Sequence, residues 1–385
     1  MYSCKKLEAR LFGHLLFLIG GDASSFVKFC QEYSYISFGN AEANTQGNFY
    51  VHFQDKIVAP RDAVLMDEGS YYTTSGTYYE INKHFAFSVD FKSDILTIAI
   101  DSRSKDLLSF HIILIFVRLF SELLFLHGAA ARICGKDIIF PAWGGAGKTH
   151  LLLFMLRNGY QYIADDIIVV EPSSNTVLPF QKTLNLLSYN FYDNRDLAKH
   201  LSLKKRFAFG QWLLIRRIID SLPFSESSII HKICAQIEKI FSGLIGCSLD
   251  ARLVSSTPVV DKPAIVSGTF YLKRINSNHS FVEIGHFDKN SFVEKMKICL
   301  DREKSEGTNV FRRFPFSSED FRNVKDELYS KEILKLQEFV SKNDIQSLQY
   351  GLKAHPEKII QHLMNQIARS KKSKTGATVF KERAN

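Results

Sequence analysis

The chain has 385 residues with 45% hydrophobic content, 32 Phe and 15 Tyr, which is ample apolar material for a sizeable core. That composition excludes wholesale disorder, a collagen-like repeat and a coiled-coil rod, and at roughly 150 residues per domain the length predicts two to three units. Lys+Arg 49 against Asp+Glu 40 leaves a net charge of +9, spread diffusely, which suits anionic partners without choosing among them.

In chain order, Lys5, Lys6, Arg10 and the run LFGHLLFLIGG loosely imitate a signal peptide. His14 breaks the apolar stretch and no small-x-small cleavage site follows, so the segment reads as a first buried strand. The cysteines Cys4, Cys30, Cys134, Cys234, Cys247 and Cys299 are scattered, with no CxxC spacing. Reduced thiols and a cytoplasmic location are therefore expected. FYVHF, YYEIN, FAFSVDF and ILTIAID are aromatic, β-branched and partly alternating, so residues 1–104 read as a β-rich domain. Residues 107–126 are nearly all apolar, but Arg118 and Glu122 fall inside the run. A buried core helix is expected there, and no membrane span.

Residues 127–180 carry the most information. Ala129–Cys134 and Asp137–Phe140 read as two strands joined at Gly135-Lys136. A small-residue loop then leads into a helix over Thr149–Arg157, closed by a left-handed cap at Asn158-Gly159. Extended runs Tyr160–Ala164 and Ile167–Glu171 flank Asp165 and Asp166, and Thr176–Phe180 follows a turn. Further on, residues 200–260 are helical in pattern, with Ile230, Cys234, Ile237, Phe241 and Leu244 in period. Strands return at Ala264–Lys273 and Phe281–Ile284, then a helix near Lys289–Leu300. Beyond 310 amphipathic helix is expected throughout, ending in a loose basic tail, Arg369 to Asn385. The domain division is thus 1–104, 105–310 with a helical insertion about 200–260, and 311–385 as a C-terminal helical extension.

AWGGAGKT, Ala142 to Thr149, matches the phosphate-binding pattern GxxxxGK[ST] except that Ala142 stands at the first glycine. Gly144, Gly145 and Gly147 permit a tight backbone whose N–H groups, with that of Ala146, converge on phosphate oxygens. A helix starting at Thr149 adds its positive end there, close to His150. In this role Lys148 neutralises β/γ-phosphate charge and the Thr149 hydroxyl ligates Mg²⁺. Asp165 and Asp166 come 16 and 17 residues after Thr149, enough for one short helix and one strand. That spacing returns both carboxylates beside the loop, one to hold Mg²⁺ through water and one to accept a proton. A lone His near a core is ordinarily structural. His127, however, closes the apolar helix and precedes Gly128 and three alanines, small residues that allow the backbone packing needed to bring an imidazole to the loop.

The combination resembles the HPr kinase family, whose nucleotide fold is of the phosphoenolpyruvate carboxykinase type. His127, Lys148, Thr149 and Asp166 stand at that family's mutual spacings, with the specific part of the resemblance running from His127 to Phe180. The resemblance implies an α/β phosphate-loop core and transfer of a phosphoryl group from ATP, with Mg²⁺, to a hydroxyl. The acceptor would be a serine of a protein or precursor peptide, or a small hydroxylated metabolite. Asp166 would then be the general base, assisted by His127, with Lys148 stabilising charge, Thr149 on the metal and Asp165 ordering its water shell. The family's E-x-R-G segment is missing from NLLSYNFYDNRDLAKH, where Asp193 or Asp196 is the candidate substitute. That loss argues against HPr itself as acceptor. Relatives in the family often assemble as homo-oligomers. The alternative reading is a nucleotide-binding scaffold or switch without turnover. The short run of Lys371, Lys372 and Lys374 lacks interleaved aromatics and reads as a solvated end rather than a nucleic-acid site.

Overall fold

A computed structural model describes residues 6–11, 14–19, 37–40, 49–67, 70–73, 77–81, 86–92, 95–101, 121–180, 183–221, 236, 240–241, 244–255, 258–275, 279–307, 319–351 and 353–381. The protein is mixed α/β and divides into two compact units. The first comprises Met1–Phe125, Glu171–Ser173 and Val293–Ser341, and the second Leu126–Val170, Ser174–Phe292 and Lys342–Asn385.

Among the described residues the first unit is built on nine strands, β1 (Lys6–Leu11), β2 (His14–Ile19), β3 (Ser37–Asn40), β4 (Phe49–Gln54), β5 (Val64–Asp67), β6 (Ser70–Tyr72), β7 (Tyr78–Ile81), β8 (Ala86–Lys92) and β9 (Ile95–Asp101). They form one sheet in the order β3-β1-β2-β4-β9-β8-β7-β6-β5, with β4 parallel to both β2 and β9. Alternation of apolar residues buries Val51, Phe53, Ile98 and Ile100. Asp101 is also buried and accepts the backbone N–H of Ile57 at 3.1 Å, so its polar group is matched. The expected first strand is a β1–β2 hairpin.

The second unit continues with β10 (Leu124–Ile133), β11 (Lys136–Pro141), α1 (Lys148–Arg157), β12 (Gln161–Glu171), β13 (Thr176–Leu178), β14 (Leu184–Leu186), α2 (Ser188–Asp193), α3 (Leu203–Ser221) and β15 (Cys247–Leu249). Then come β16 (Ala264–Ile275), β17 (Val282–His286), α4 (Lys289–Gly307), α5 (Glu319–Lys342), β18 (Ile345–Gly351) and α6 (Pro356–Lys381). Residues 293–341, most of α4 and α5, belong to the first unit. The sheet of the second unit has the order β11-β10-β12-β13-β16-β18-β17, with β11 also paired directly to β16. β11, β16 and β18 run parallel side by side, while β14 and β15 make a separate antiparallel ladder. α1 buries Leu151, Leu152 and Met155 in a cluster with Phe140 and Leu272 of the sheet and Leu363 of α6.

Several sequence expectations are corrected. The helix expected over 107–126 lies outside the described residues up to 120, and Leu124–Leu126 open a strand instead. The hairpin turns at Cys134 and Gly135, both at positive φ (50° and 73°), one residue earlier than expected. β15 falls within the stretch read as helical, where Ile230, Cys234 and Ile237 lie outside the described residues. Residues beyond 310 are not helical throughout, because β18 enters the sheet between β16 and β17. The basic tail continues helix α6 to Lys381. Among the described residues no helix is long and apolar enough to cross a membrane.

A Cβ at Gly128 of β10 would lie 2.7 Å from the Phe140 carbonyl oxygen and 2.4 Å from Cδ1 of Ile168, whereas one at Gly210 in α3 meets nothing within 4 Å. Gly128→Ala should therefore lower stability by about 1–3 kcal/mol in denaturant unfolding through overpacking. Gly210→Ala should raise it by up to about 1 kcal/mol, as expected inside a helix.

Candidate functional site

The site is built where β11 gives way to α1. Ala142 prolongs β11: it is wholly buried, bridges in parallel to Leu272, and donates its N–H to the His127 carbonyl at 3.0 Å. A methyl group is accommodated at this position because the backbone is still extended there. The chain turns over Trp143–Gly147, with Ala146 donating to the Trp143 carbonyl at 3.4 Å. Gly145 and Gly147 take φ values of 79° and 81°, a region that glycine enters without a Cβ penalty. Gly147 is the N-cap of α1 and no side chain caps the helix. The first N–H groups of α1 and its positive end are therefore left at the loop. The far end of α1 is closed by Gly159 at φ 82°, as the sequence predicts.

Lys148, the first residue of α1, is only 8% exposed. Its Nζ lies 2.8 Å from His127 Nε2 and donates to the Trp143 carbonyl at 3.0 Å. An ammonium only donates, so His127 Nε2 is the acceptor, and a neutral imidazole then carries its proton on Nδ1. Nδ1 is 3.6 Å from Asp166 Oδ1. A lysine, an imidazole and a carboxylate thus form one line. Asp166 itself sits at φ 70° inside β12, a left-handed conformation that Asp tolerates better than most side chains.

The adjacent carboxylates meet different surroundings. The Asp166 side chain is 43% exposed, while Asp165 is 2% exposed. Thr149 donates its hydroxyl to Asp165 Oδ2 at 3.1 Å, with Oδ1 at 3.3 Å. Burial pushes the Asp165 carboxyl up to about 6, helped by the neighbouring Asp166 charge. The Thr149 hydroxyl, the Lys148 charge and the Asp166 backbone N–H pull the other way. A hydroxyl and a carboxylate side by side are a hard-oxygen donor pair of the kind divalent cations take. Among the described residues no group of three His, Cys, Asp or Glu side chains converges as a metal cluster.

Of the residues singled out from sequence, His127, Lys148, Thr149, Asp165 and Asp166 come together. Gly144, Gly145, Ala146 and Gly147 form the loop, and His150 is the third residue of α1, half-buried. His127 belongs to strand β10 and does not close a helix. Asp196 pairs with Arg157 at 2.9 Å, at the opposite end of α1 from Thr149, and so does not replace the missing acidic segment. The Asp193 side chain lies outside the described residues. Tyr350 of β18 was not anticipated. Its hydroxyl donates to the Ala146 carbonyl, and the one local signal was the run IQSLQYG, short, partly alternating and closed by Gly351. Arg274 of β16, paired in register with Tyr350, and Tyr189 of α2 also carry charge and phenol to this end of the sheet.

No protein-family model matches the chain. HPr kinase/phosphorylase of Pelodictyon phaeoclathratiforme is 22% identical over 193 residues, covering 47% of this chain and 53% of that protein. The relationship is distant. It supports an HPr kinase-like kinship and nothing more specific, and the chain spans about half the length of the relative it matches.

Asp165 binds its proton more tightly folded, at about 6, than at the ordinary 3.8. Its burial is therefore uncostly below pH 4 and destabilises increasingly as the pH rises through 6. In metal-free buffer at pH 7.5, Asp165→Asn should stabilise the fold by on the order of 2 kcal/mol. Thermal unfolding of the two proteins should converge near pH 4, and equal midpoints at both pH values would contradict this account of the carboxylate.

Proposed function

We propose that the chain is an ATP- and Mg²⁺-dependent kinase, with a nucleotide-binding core of the phosphoenolpyruvate carboxykinase type, that transfers the γ-phosphoryl group to a hydroxyl. The acceptor is a serine of a protein or precursor peptide, or a small hydroxylated metabolite. The observation that carries this reading is the single file of Lys148, His127 and Asp166 beside a glycine loop that ends in an uncapped helix. The distant likeness to a protein named HPr kinase/phosphorylase supports the same chemistry at the level of phosphotransferase.

In this reading the loop residues Gly144 to Gly147, with His150 behind them, receive the phosphate chain through backbone N–H groups. Lys148 leaves the Trp143 carbonyl and His127 and turns to the phosphates, meeting the charge that builds on the β–γ bridging oxygen as that bond breaks. Asp166, the more exposed carboxylate, accepts the proton of the incoming hydroxyl as its oxygen attacks the γ-phosphorus. His127, once released by Lys148, bears on Asp166 and on the terminal phosphate. Thr149 and Asp165 fit a divalent cation by donor type, and the buried Asp165 charge is one that a cation would relieve. Mg²⁺ held there would neutralise phosphate charge.

Purified protein with Mg-ATP and a pool of serine-containing peptides and free serine should release ADP and label an acceptor. Lys148→Ala should lower the rate about a hundred- to thousandfold, as for loss of a charge-stabilising donor. Asp166→Asn should lower it by roughly 10²–10⁴. Activity that persists in both variants would refute the assignments, and tight Mg-ATP binding without turnover would favour the scaffold reading instead.

A further inference from the structure

Tyr350 reaches the glycine loop from the far side of the sequence, 204 residues after Ala146, and its hydroxyl donates to the Ala146 carbonyl. Its position is fixed by strand register. Ala142 bridges to Leu272, Leu272 pairs with Leu348, and two residues on Arg274 pairs with Tyr350. The phenol therefore stands beside the loop, on the strand beyond the one Ala142 touches. A Cβ built on Gly147 would lie 2.6 Å from the Tyr350 hydroxyl oxygen. The same oxygen thus covers Gly147 and holds the carbonyl that precedes it.

Peptide planarity gives this contact a consequence. In a trans peptide unit the C=O and the N–H point in opposite directions, and no cis bond occurs among the described residues. With the Ala146 carbonyl drawn toward β18, the N–H of Gly147 must point the other way. We infer that Tyr350 is a positioning residue that latches the Ala146–Gly147 peptide, so that the Gly147 N–H, and not the Ala146 carbonyl oxygen, faces a bound phosphate. The inference rests on the nucleotide reading above and deepens it. Without the hydroxyl, glycine offers little resistance to rotation of this peptide, and the rotated unit would turn an oxygen lone pair toward the anion. Burial pushes the phenol up to about 12, with the Arg274 charge opposing. The latch accordingly remains a donor across the pH range in which enzymes of this kind are assayed.

The test is titration calorimetry of the full chain with two probes, Mg-ATP and Mg-tripolyphosphate, in wild type and Tyr350→Phe. Both probes should bind about tenfold more weakly to the variant, the effect of one lost hydrogen bond, while the thermal midpoint moves by less than about 3 °C. Gly147→Ala adds a geometric readout. In wild type the new methyl meets the hydroxyl oxygen. In Tyr350→Phe that oxygen is gone, so the alanine should cost at least about threefold less affinity there, a coupling between touching sites. Additive effects overturn the inference, as does a Tyr350→Phe protein that no longer unfolds cooperatively, which would assign the phenol to the fold alone. A wild-type chain that binds neither probe ends the nucleotide reading and the latch together. Wild-type binding matched by Tyr350→Phe ends the latch only.

Discussion

The second unit is organised around a cation that has been taken out of water. Lys148 is 8% exposed, and a buried ammonium is costly unless its donors are matched and opposite charge lies near. Two donors go to His127 and the Trp143 carbonyl, and Asp165 and Asp166 supply negative charge nearby. These partners come from three elements: His127 from β10, Trp143 from the loop, and both carboxylates from β12. The sheet order places β10 between β11 and β12, so the strand bearing the imidazole separates the strand that feeds the loop from the strand that bears the carboxylates. Fold and site are in that sense one constraint, since moving any of the three strands would leave the lysine buried and unmatched.

Backbone conformation carries as much of the arrangement as side-chain chemistry. Gly145, Gly147 and Asp166 all occupy the left-handed region. The two glycines do so without strain, and this is why the loop could be recognised from its composition. Asp166 does so at some cost, and the sequence YIADDIIVV gives no sign of it beyond the suitability of Asp for such a position. The pattern of this stretch predicts two strands around the acidic pair. The structure has one continuous strand with a kinked residue inside it, which sends neighbouring carboxylates into different environments.

The parts of the fold that were legible are those encoded locally. The α1 boundaries to within a residue, the cap at Gly159, the aromatic strands of the first unit and Lys148, Thr149, Asp165 and Asp166 of the site follow from patterns a few residues long, whereas His127 stands out only by its spacing from them. What was hidden depends on partners distant in sequence. His127 looked like the end of an apolar helix because LLFLHGAAARI is equally apolar in either conformation, and only pairing with β11 makes it a strand. β18 was missed for a similar reason: it lies between two long amphipathic helices, and its burial comes from β16 and β17 rather than from its own periodicity. Tyr350 was concealed with it. Asp196, which spacing alone offered as a metal ligand, is instead engaged by Arg157, a contact that depends on how the segment after β14 folds back on α1.

The division between Asp165 and Asp166 bears most directly on chemistry. Two carboxylates whose environments differ usually take different roles. Asp165 is enclosed, bonded to Thr149 and raised to about 6, conditions under which it would gain from a cation and has no open path to an incoming hydroxyl. Asp166 is more than two-fifths exposed and has an imidazole 3.6 Å away, so on the proposed reading it is the carboxylate open to an acceptor from solvent. Exchanging the roles would require the buried carboxylate to collect a proton from a group it cannot touch. It would also leave the exposed one to hold a cation away from the Thr149 hydroxyl, which is bonded to its neighbour. On the proposed reading the base falls to Asp166 and the cation to Asp165, and what separates them is burial rather than residue type, which is the same at both positions.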